Sequence, residues 1–82
     1  MVNDHIKVRN RVKMARIEKG NLTQIELAKK VGITRQTLNL IEAQKYNPSL
    51  KVCLLLSKYL EKSLDELFWL EENNEKRSGL SE

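Results

Sequence analysis

Residues 24–43, QIELAKKVGITRQTLNLIEA, read as two short helices that cross steeply at a tight turn. Just ahead of them, Thr23 stands three residues before Glu26, the spacing at which a hydroxyl and a carboxylate satisfy each other's free backbone N–H groups at a helix start. Ile25, Leu27, Ala28 and Val31 supply the apolar positions of the first helix. Two helices meeting at a steep angle need a small residue where their backbones approach, and Ala28 is there. The turn needs a residue that accepts positive φ, and Gly32 is there. Thr34 then caps a second helix running from about Arg35 to Ala43. Leu38 and Ile41, three apart, face inward and meet Leu27, Val31 and Ile33. Each feature alone is weak, but all of them in register within one short stretch specify a single arrangement.

Working outward, the remaining chain reads as three more helices. Helix 1 is expected over about Arg9 to Lys19, with Val8, Val12 and Ala15 on one stripe, ended by Gly20-Asn21. After a loop from Gln44 to Pro48, Ser49 caps a helix over about Leu50 to Leu60. That helix is the most apolar segment, carrying more apolar surface than one buried stripe requires. A second pair at capping-box spacing, Ser63 with Glu66, opens a fifth helix bearing Leu64, Leu67 and Phe68. Two stretches, His5-Ile6-Lys7-Val8 and Phe68-Trp69-Leu70, alternate β-favouring residues. They suit two short strands closing the ends of the domain, with ragged helix ends an equal alternative. One domain is therefore expected over residues 1–72, followed by a polar, aperiodic tail over residues 73–82 read as disordered.

Composition narrows the function classes. The chain has 82 residues, 40% hydrophobic and 32% charged, which suits one small globular domain. Residues 1–60 carry twelve Lys/Arg against four Asp/Glu, whereas residues 61–82 carry three against seven. A basic body with an acidic end suits an anionic partner for the first part, although a solvated face of mixed charge explains it as well. No apolar run approaches the ~20 residues that span a bilayer, and the start lacks the basic and apolar regions of a signal peptide. With a single cysteine, Cys53, a disulfide framework is excluded, and a cytoplasmic location is expected. The sequon Asn21-Leu22-Thr23 is read as a chance match.

The stretch from Gln24 to Ala43 thus has the physical requirements of a helix-turn-helix. Extended over Leu22 to Glu42, and continued by Lys45-Tyr-Asn-Pro-Ser-Leu50 and Ser63-Leu-Asp-Glu-Leu-Phe68, it resembles the Cro/phage-repressor (XRE) helix-turn-helix family. The likeness covers about Asn10 to Phe68 and is nearest to the compact bacterial and archaeal members. It implies an all-α, five-helix, lambda-repressor-like domain, a homodimer, and sequence-specific binding of a palindromic operator in double-stranded DNA by a transcriptional repressor. In such domains the second helix enters the major groove N-terminus first. Arg35, Gln36, Asn39 and Leu40 face outward and are expected to meet base edges. Arg35 suits guanine O6 and N7, Gln36 or Asn39 suits adenine N6 and N7, and Leu40 suits a thymine methyl. Phosphate contacts are expected from Gln24, Thr34, Thr37, Lys45 and Tyr46. Arg11 and Lys13 read better as a solvated face.

The resemblance further implies an ion pair between Arg16 and Glu42, clamping the second helix of the motif against helix 1. Surplus apolar residues Leu54, Leu55, Tyr59, Trp69 and Leu70 are expected at a dimer interface. The chain also departs from the family pattern. Asn21 lengthens the first connection, and Ala43-Gln44 replaces the common Asn-Gly after the second helix of the motif, removing a glycine that eases the turn and loosening the expectation for Lys45. Cys53 and Ser57 fill positions usually held by alanine, and Leu55 one that is often charged.

Two rival classes stand beside this reading. An enzyme would need more than His5, the only histidine, and an apolar-flanked Cys53; no Gly-rich phosphate loop, metal-ligand cluster or catalytic set is present in the sequence. No enzyme activity, cofactor or metal is therefore expected. The second class is an antitoxin or restriction-modification controller that regulates its own promoter and binds a partner protein through its acidic end.

Overall fold

A computed structural model describes residues 5–72 of the chain. The elements run β1 (Ile6–Asn10), α1 (Val12–Glu18), α2 (Gln24–Val31), α3 (Arg35–Glu42), α4 (Leu50–Leu60), α5 (Leu64–Leu67) and β2 (Phe68–Glu72). The expected tail from residue 73 lies outside the described residues.

Four of the five helices begin on a side-chain cap. Thr23 and Ser63 form full capping boxes with Glu26 and Glu66, while Thr34 and Ser49 accept from the backbone N–H groups of Thr37 and Val52. Between α2 and α3, Gly32 sits at φ 76°, and the Ile33 N–H reaches back to the Ala28 carbonyl at 3.0 Å. This closes the α2 carbonyl end with a left-handed residue, as a tight turn between helices requires.

The core is aliphatic. Val12 and Ala15 of α1, Leu27, Ala28 and Val31 of α2, and Leu38 and Ile41 of α3 meet Leu56 and Leu60 of α4 and Leu67 of α5, all at 3% exposure or less. Leu22, Ile33, Val52, Leu55, Tyr59 and Phe68 pack around them. Burial on this scale at ~25 cal/mol per Å² of apolar surface is the main force holding α3 in place. Ile25 is the exception among the apolar positions read for α2, because it projects from the first turn and is 54% exposed.

The chain ends pair as two strands. β1 and β2 are antiparallel, with Val8 opposite Leu70 and Asn10 opposite Phe68. This shortens the helix expected from Arg9. Arg9 and Asn10 belong to the strand, Val8 leaves the helix stripe for a sheet face, and α1 begins only at Val12. The sheet also takes Phe68 from the fifth helix, which is reduced to one turn.

Asn10 carries the junction. It is 7% exposed; its Oδ1 accepts from the Val12 N–H at 3.0 Å, and its Nδ2 donates to the Ile41 carbonyl at 3.0 Å. The same side chain therefore starts α1, whose formal cap residue Arg11 makes no side-chain bond, and holds the end of α3.

Candidate nucleic-acid interface

Helix α3 has a buried inner face and a polar outer one. Leu38 and Ile41 are fully buried, whereas Arg35, Gln36 and Asn39 are exposed and Leu40 is 38% exposed. The four residues expected to face outward do so, with Arg35 four residues from Asn39 and Gln36 four from Leu40 on one helix surface. Among the described residues, the five ion pairs leave Arg35 out, so its guanidinium keeps all its donors for another molecule.

Behind that surface lies a buried clamp. The Arg16 Nε and Nη2 atoms donate to the two carboxylate oxygens of Glu42 at 2.7 and 3.1 Å, and Nη1 donates to the Leu22 carbonyl at 3.1 Å. The Glu42 side chain is 3% exposed and that of Arg16 13%. A two-pronged guanidinium–carboxylate pair fixes orientation as well as distance. The end of α3 is thereby tied to α1 and to the loop before α2. The ion pair implied by the resemblance is formed, and Gln24 completes it by donating from Nε2 to Glu42 Oε1 at 2.9 Å and to Asn39 Oδ1 at 3.3 Å.

That last contact changes the reading of Gln24. One amide hydrogen is held by Glu42 and the other meets Asn39 on the exposed face of α3, so a phosphate at this side chain competes with the Asn39 contact. What remains at this end of α2 is backbone, where the N–H of Gln24 lies in the first turn of the helix. The other residues assigned to phosphate are distributed as follows. Thr34 is held as the α3 cap, and its hydroxyl donates to Thr37 Oγ1 at 2.9 Å, leaving the Thr37 hydroxyl hydrogen free to point elsewhere. Lys45 is exposed, Tyr46 is 50% exposed, and the Lys45 N–H is anchored on the Leu40 carbonyl at 2.9 Å. Both therefore flank the C-terminal end of α3.

The turn that carries Lys45 depends on a device absent from the sequence reading. Gln44 adopts φ 66°, a left-handed conformation that glycine takes without cost and other residues at ~1–2 kcal/mol. Its primary amide pairs with the backbone of Asn10: the Asn10 N–H donates to Oε1 at 3.0 Å, and Nε2 donates to the Asn10 carbonyl at 2.9 Å. Gln44 thus satisfies two backbone groups on the edge of β1, as a neighbouring strand would. The only sequence signal was its presence where the resemblance expects glycine.

The residues assigned to a dimer interface divide into two groups. Leu55 and Tyr59 pack against the core, and Tyr59 is flanked by the Lys30 and Lys58 ammonium groups. Leu54, Trp69 and Leu70 stay exposed, although the Arg11 guanidinium covers the Trp69 ring at 4.8 Å. Val8 and Leu50 are exposed apolar residues that the sequence reading left out. They line an open apolar groove with Pro48, Cys53, Leu64 and Phe68. Burial pushes the Cys53 thiol up in pKa. Among the described residues no cluster of His, Cys, Asp and Glu could hold a metal ion, and no helix is long and apolar enough to cross a membrane.

Comparison with known proteins agrees with this geometry. The family model described as helix-turn-helix matches residues 12–67. An HTH-type transcriptional regulator of Archaeoglobus fulgidus is 40% identical over 65 residues, covering 79% of this chain and 90% of its own. The HTH-type transcriptional regulator YgzD of Bacillus subtilis is 40% identical over 67 residues, covering 82% of this chain and all of its own. Among solved structures, a Bacteroides fragilis protein described as DNA-binding superposes with a TM-score of 0.68 at 26% identity, over 76% of this chain and 98% of that one.

Proposed function

The chain belongs to the helix-turn-helix family, of the XRE type, and on that premise we propose that it is a DNA-binding transcriptional regulator that represses by occupying a palindromic operator as a homodimer. The observation that carries this reading is the outer face of α3. Arg35, Gln36 and Asn39 are exposed together on a helix whose far side is locked by the Arg16–Glu42 clamp. A rigid helix presenting planar donors and acceptors suits the major groove, where each base pair shows its own donor and acceptor pattern. Lys45, Tyr46, Thr37 and the start of α2 frame that helix at points suited to phosphates, which set register without reading sequence.

One recognition helix reads only a few base pairs, so a second copy related by a two-fold axis supplies the rest of the site. We assign the dimer surface to the exposed apolar residues Leu54 and Leu70, joined by Val8 and Leu50 along the groove. Leu55 and Tyr59 are given to the core instead.

Selection from a randomised duplex library by the purified protein tests the function. A two-fold symmetric sequence is expected. Arg35→Ala should cost ~1–3 kcal/mol at one base pair of each half-site and relax the preference there. Lys45→Ala should weaken all sequences alike and flatten the salt dependence. A selection that enriches no sequence, or Arg35→Ala weakening specific and random DNA equally, would refute the assignment.

A further inference from the structure

The edge of β1 that faces away from β2 is only half occupied. In an antiparallel pair, residues alternate between those whose backbone groups face the partner strand and those whose groups face outward. The Arg11 N–H donates to the Leu67 carbonyl at 3.0 Å. By alternation Arg9 and Lys7 also face β2, while Asn10, Val8 and Ile6 turn their backbone groups outward. The side-chain amide of Gln44 fills the Asn10 position of this outer edge. One step further along, the backbone of Val8 opens into a groove between β1 and the turn after α3, bordered by Lys7, Arg9, Lys45 and Tyr46. Among the described residues no carboxylate lines that groove. Arg9 is compensated by Glu71 at 3.0 Å. Lys7 stands opposite Glu71 in the register, yet neither Lys7 nor Lys45 enters an ion pair or a ring contact among the described residues. Two uncompensated ammonium groups beside one open space repel each other until an anion joins them.

We infer that this groove holds a phosphate of the DNA backbone, so that β1 extends the footprint beyond α3. Lys7 and Lys45 supply the charge, and the Tyr46 hydroxyl and the Val8 N–H supply hydrogen bonds. The place of the groove selects DNA as the ligand. The Lys45 N–H is fixed on the carbonyl of Leu40, a residue of the outer face of α3, so the groove begins where that face ends. An acidic peptide adding as a third strand is the competing occupant, since it would also satisfy the Val8 carbonyl. Gln44 works against it, because filling the Asn10 position leaves only Val8 and Ile6 facing outward, at the short end of what strand pairing uses. The inference rests on the proposed binding of DNA through α3. It adds a contact that raises affinity and fixes orientation without reading a base.

The test is the salt dependence of binding to the selected duplex and to a random one, for the wild-type chain, Lys7→Gln and Lys13→Gln. Lys13 is exposed on α1, outside the groove, and serves as the control. Losing one phosphate contact lowers the slope of log affinity against log salt by about 0.9. Lys7→Gln should therefore bind both duplexes more weakly, and its deficit against the wild type should shrink about threefold between roughly 50 and 200 mM salt. The selected sequence should stay the same, and Lys13→Gln should keep the wild-type slope. Ethylating the duplex phosphates one at a time gives a second readout. One ethylation that weakens the wild type should have no effect on Lys7→Gln, and thermal unfolding establishes that the variant is folded. A Lys7→Gln slope equal to that of the wild type overturns the inference, as does an unchanged ethylation pattern. Lys7→Gln losing affinity for a polyglutamate peptide while its DNA slope is unchanged gives the groove to an acidic strand and also overturns it. In these cases an enriched site that Arg35→Ala still alters at one base leaves the DNA reading standing. A wild-type chain that enriches no sequence and shows no salt-dependent binding overturns both.

Discussion

Replacing Glu42 by alanine tests whether the clamp holds the outer helix. Glu42 is 8% exposed overall and accepts from three donors, two on Arg16 and one on Gln24. Removing it leaves the Arg16 guanidinium, itself 13% exposed in its side chain, with only the Leu22 carbonyl for company. Breaking one side of a buried pair costs about 3–5 kcal/mol, because the remaining charge is desolvated without compensation. A domain of this size has ~4–12 kcal/mol of stability in all. One kcal/mol moves its midpoint by about 4–8 °C, so Glu42→Ala should lower the melting temperature by roughly 12–40 °C. Circular dichroism during heating measures this directly. The control is Arg16→Met combined with Glu42→Leu. Replacing both charges by apolar groups of similar volume should return most of the loss, since the pair gains little net free energy over a well-packed apolar substitute. A Glu42→Ala change smaller than about 0.5 kcal/mol, the ordinary range of surface substitutions, would refute the clamp. So would a double variant no more stable than Glu42→Ala, which would place the cost in lost packing instead of a stranded charge.

Three further outcomes are expected. Gln44→Ala strands the N–H and carbonyl of Asn10 and should cost about 2–3 kcal/mol in urea unfolding, whereas Gln44→Gly loses the same bonds but relieves the left-handed strain and should be better than alanine by ~1 kcal/mol; a glycine variant as stable as wild type would mean that the amide pairing contributes nothing. The carboxyl of Glu61 is held below its ordinary value of 4.5, by its hydrogen bond from Lys19 and then by the charge of that ammonium, and the carboxyls of Glu26 and Glu66 are lowered by backbone and side-chain bonds to Thr23 and Ser63. Since the folded-state values are depressed, the associated stability is complete above the ordinary glutamate range and disappears as pH falls through the lowered values; urea midpoints should fall on acidification, and less steeply in Lys19→Met, an equal slope counting against the Lys19–Glu61 contact. Leu54→Glu places a charge on the proposed apolar contact and should shift sedimentation from dimer to monomer at micromolar concentration without unfolding the chain; a wild-type monomer at that concentration, or an unaffected dimer in the variant, would remove Leu54 from the interface.

How far each feature could be read in the sequence follows from the range of the interactions that make it. The α2–α3 unit was legible because its determinants are local. Thr23 and Glu26 satisfy each other three residues apart, Gly32 closes a helix on its own, and Leu38 and Ile41 need only helical periodicity to turn inward. The same locality exposed Arg35, Gln36, Asn39 and Leu40 to view before any coordinates. The start of α1 was misplaced because what ends β1 is distant. Arg9 and Asn10 follow a plausible helix pattern until Trp69 and Phe68 pair with them across the whole domain. Asn10 reads as an ordinary polar residue, yet it is buried between Ile41, 31 positions away, and Gln44, 34 positions away. Gln44 in turn looked like a mere loss of glycine, since the cost of its backbone conformation is visible locally while the compensating bonds to Asn10 are not. The internal contacts of Gln24 were hidden for a related reason. A glutamine at a helix start offers a phosphate two good donors in isolation, but here the same nitrogen also meets the buried Glu42 carboxylate and the exposed Asn39 amide of another helix. The residues whose type alone suggested a role on α3 stand where they were expected, facing solvent. Where a long-range partner reached them, as Glu42 reaches Gln24, the partner took up part of what they could offer.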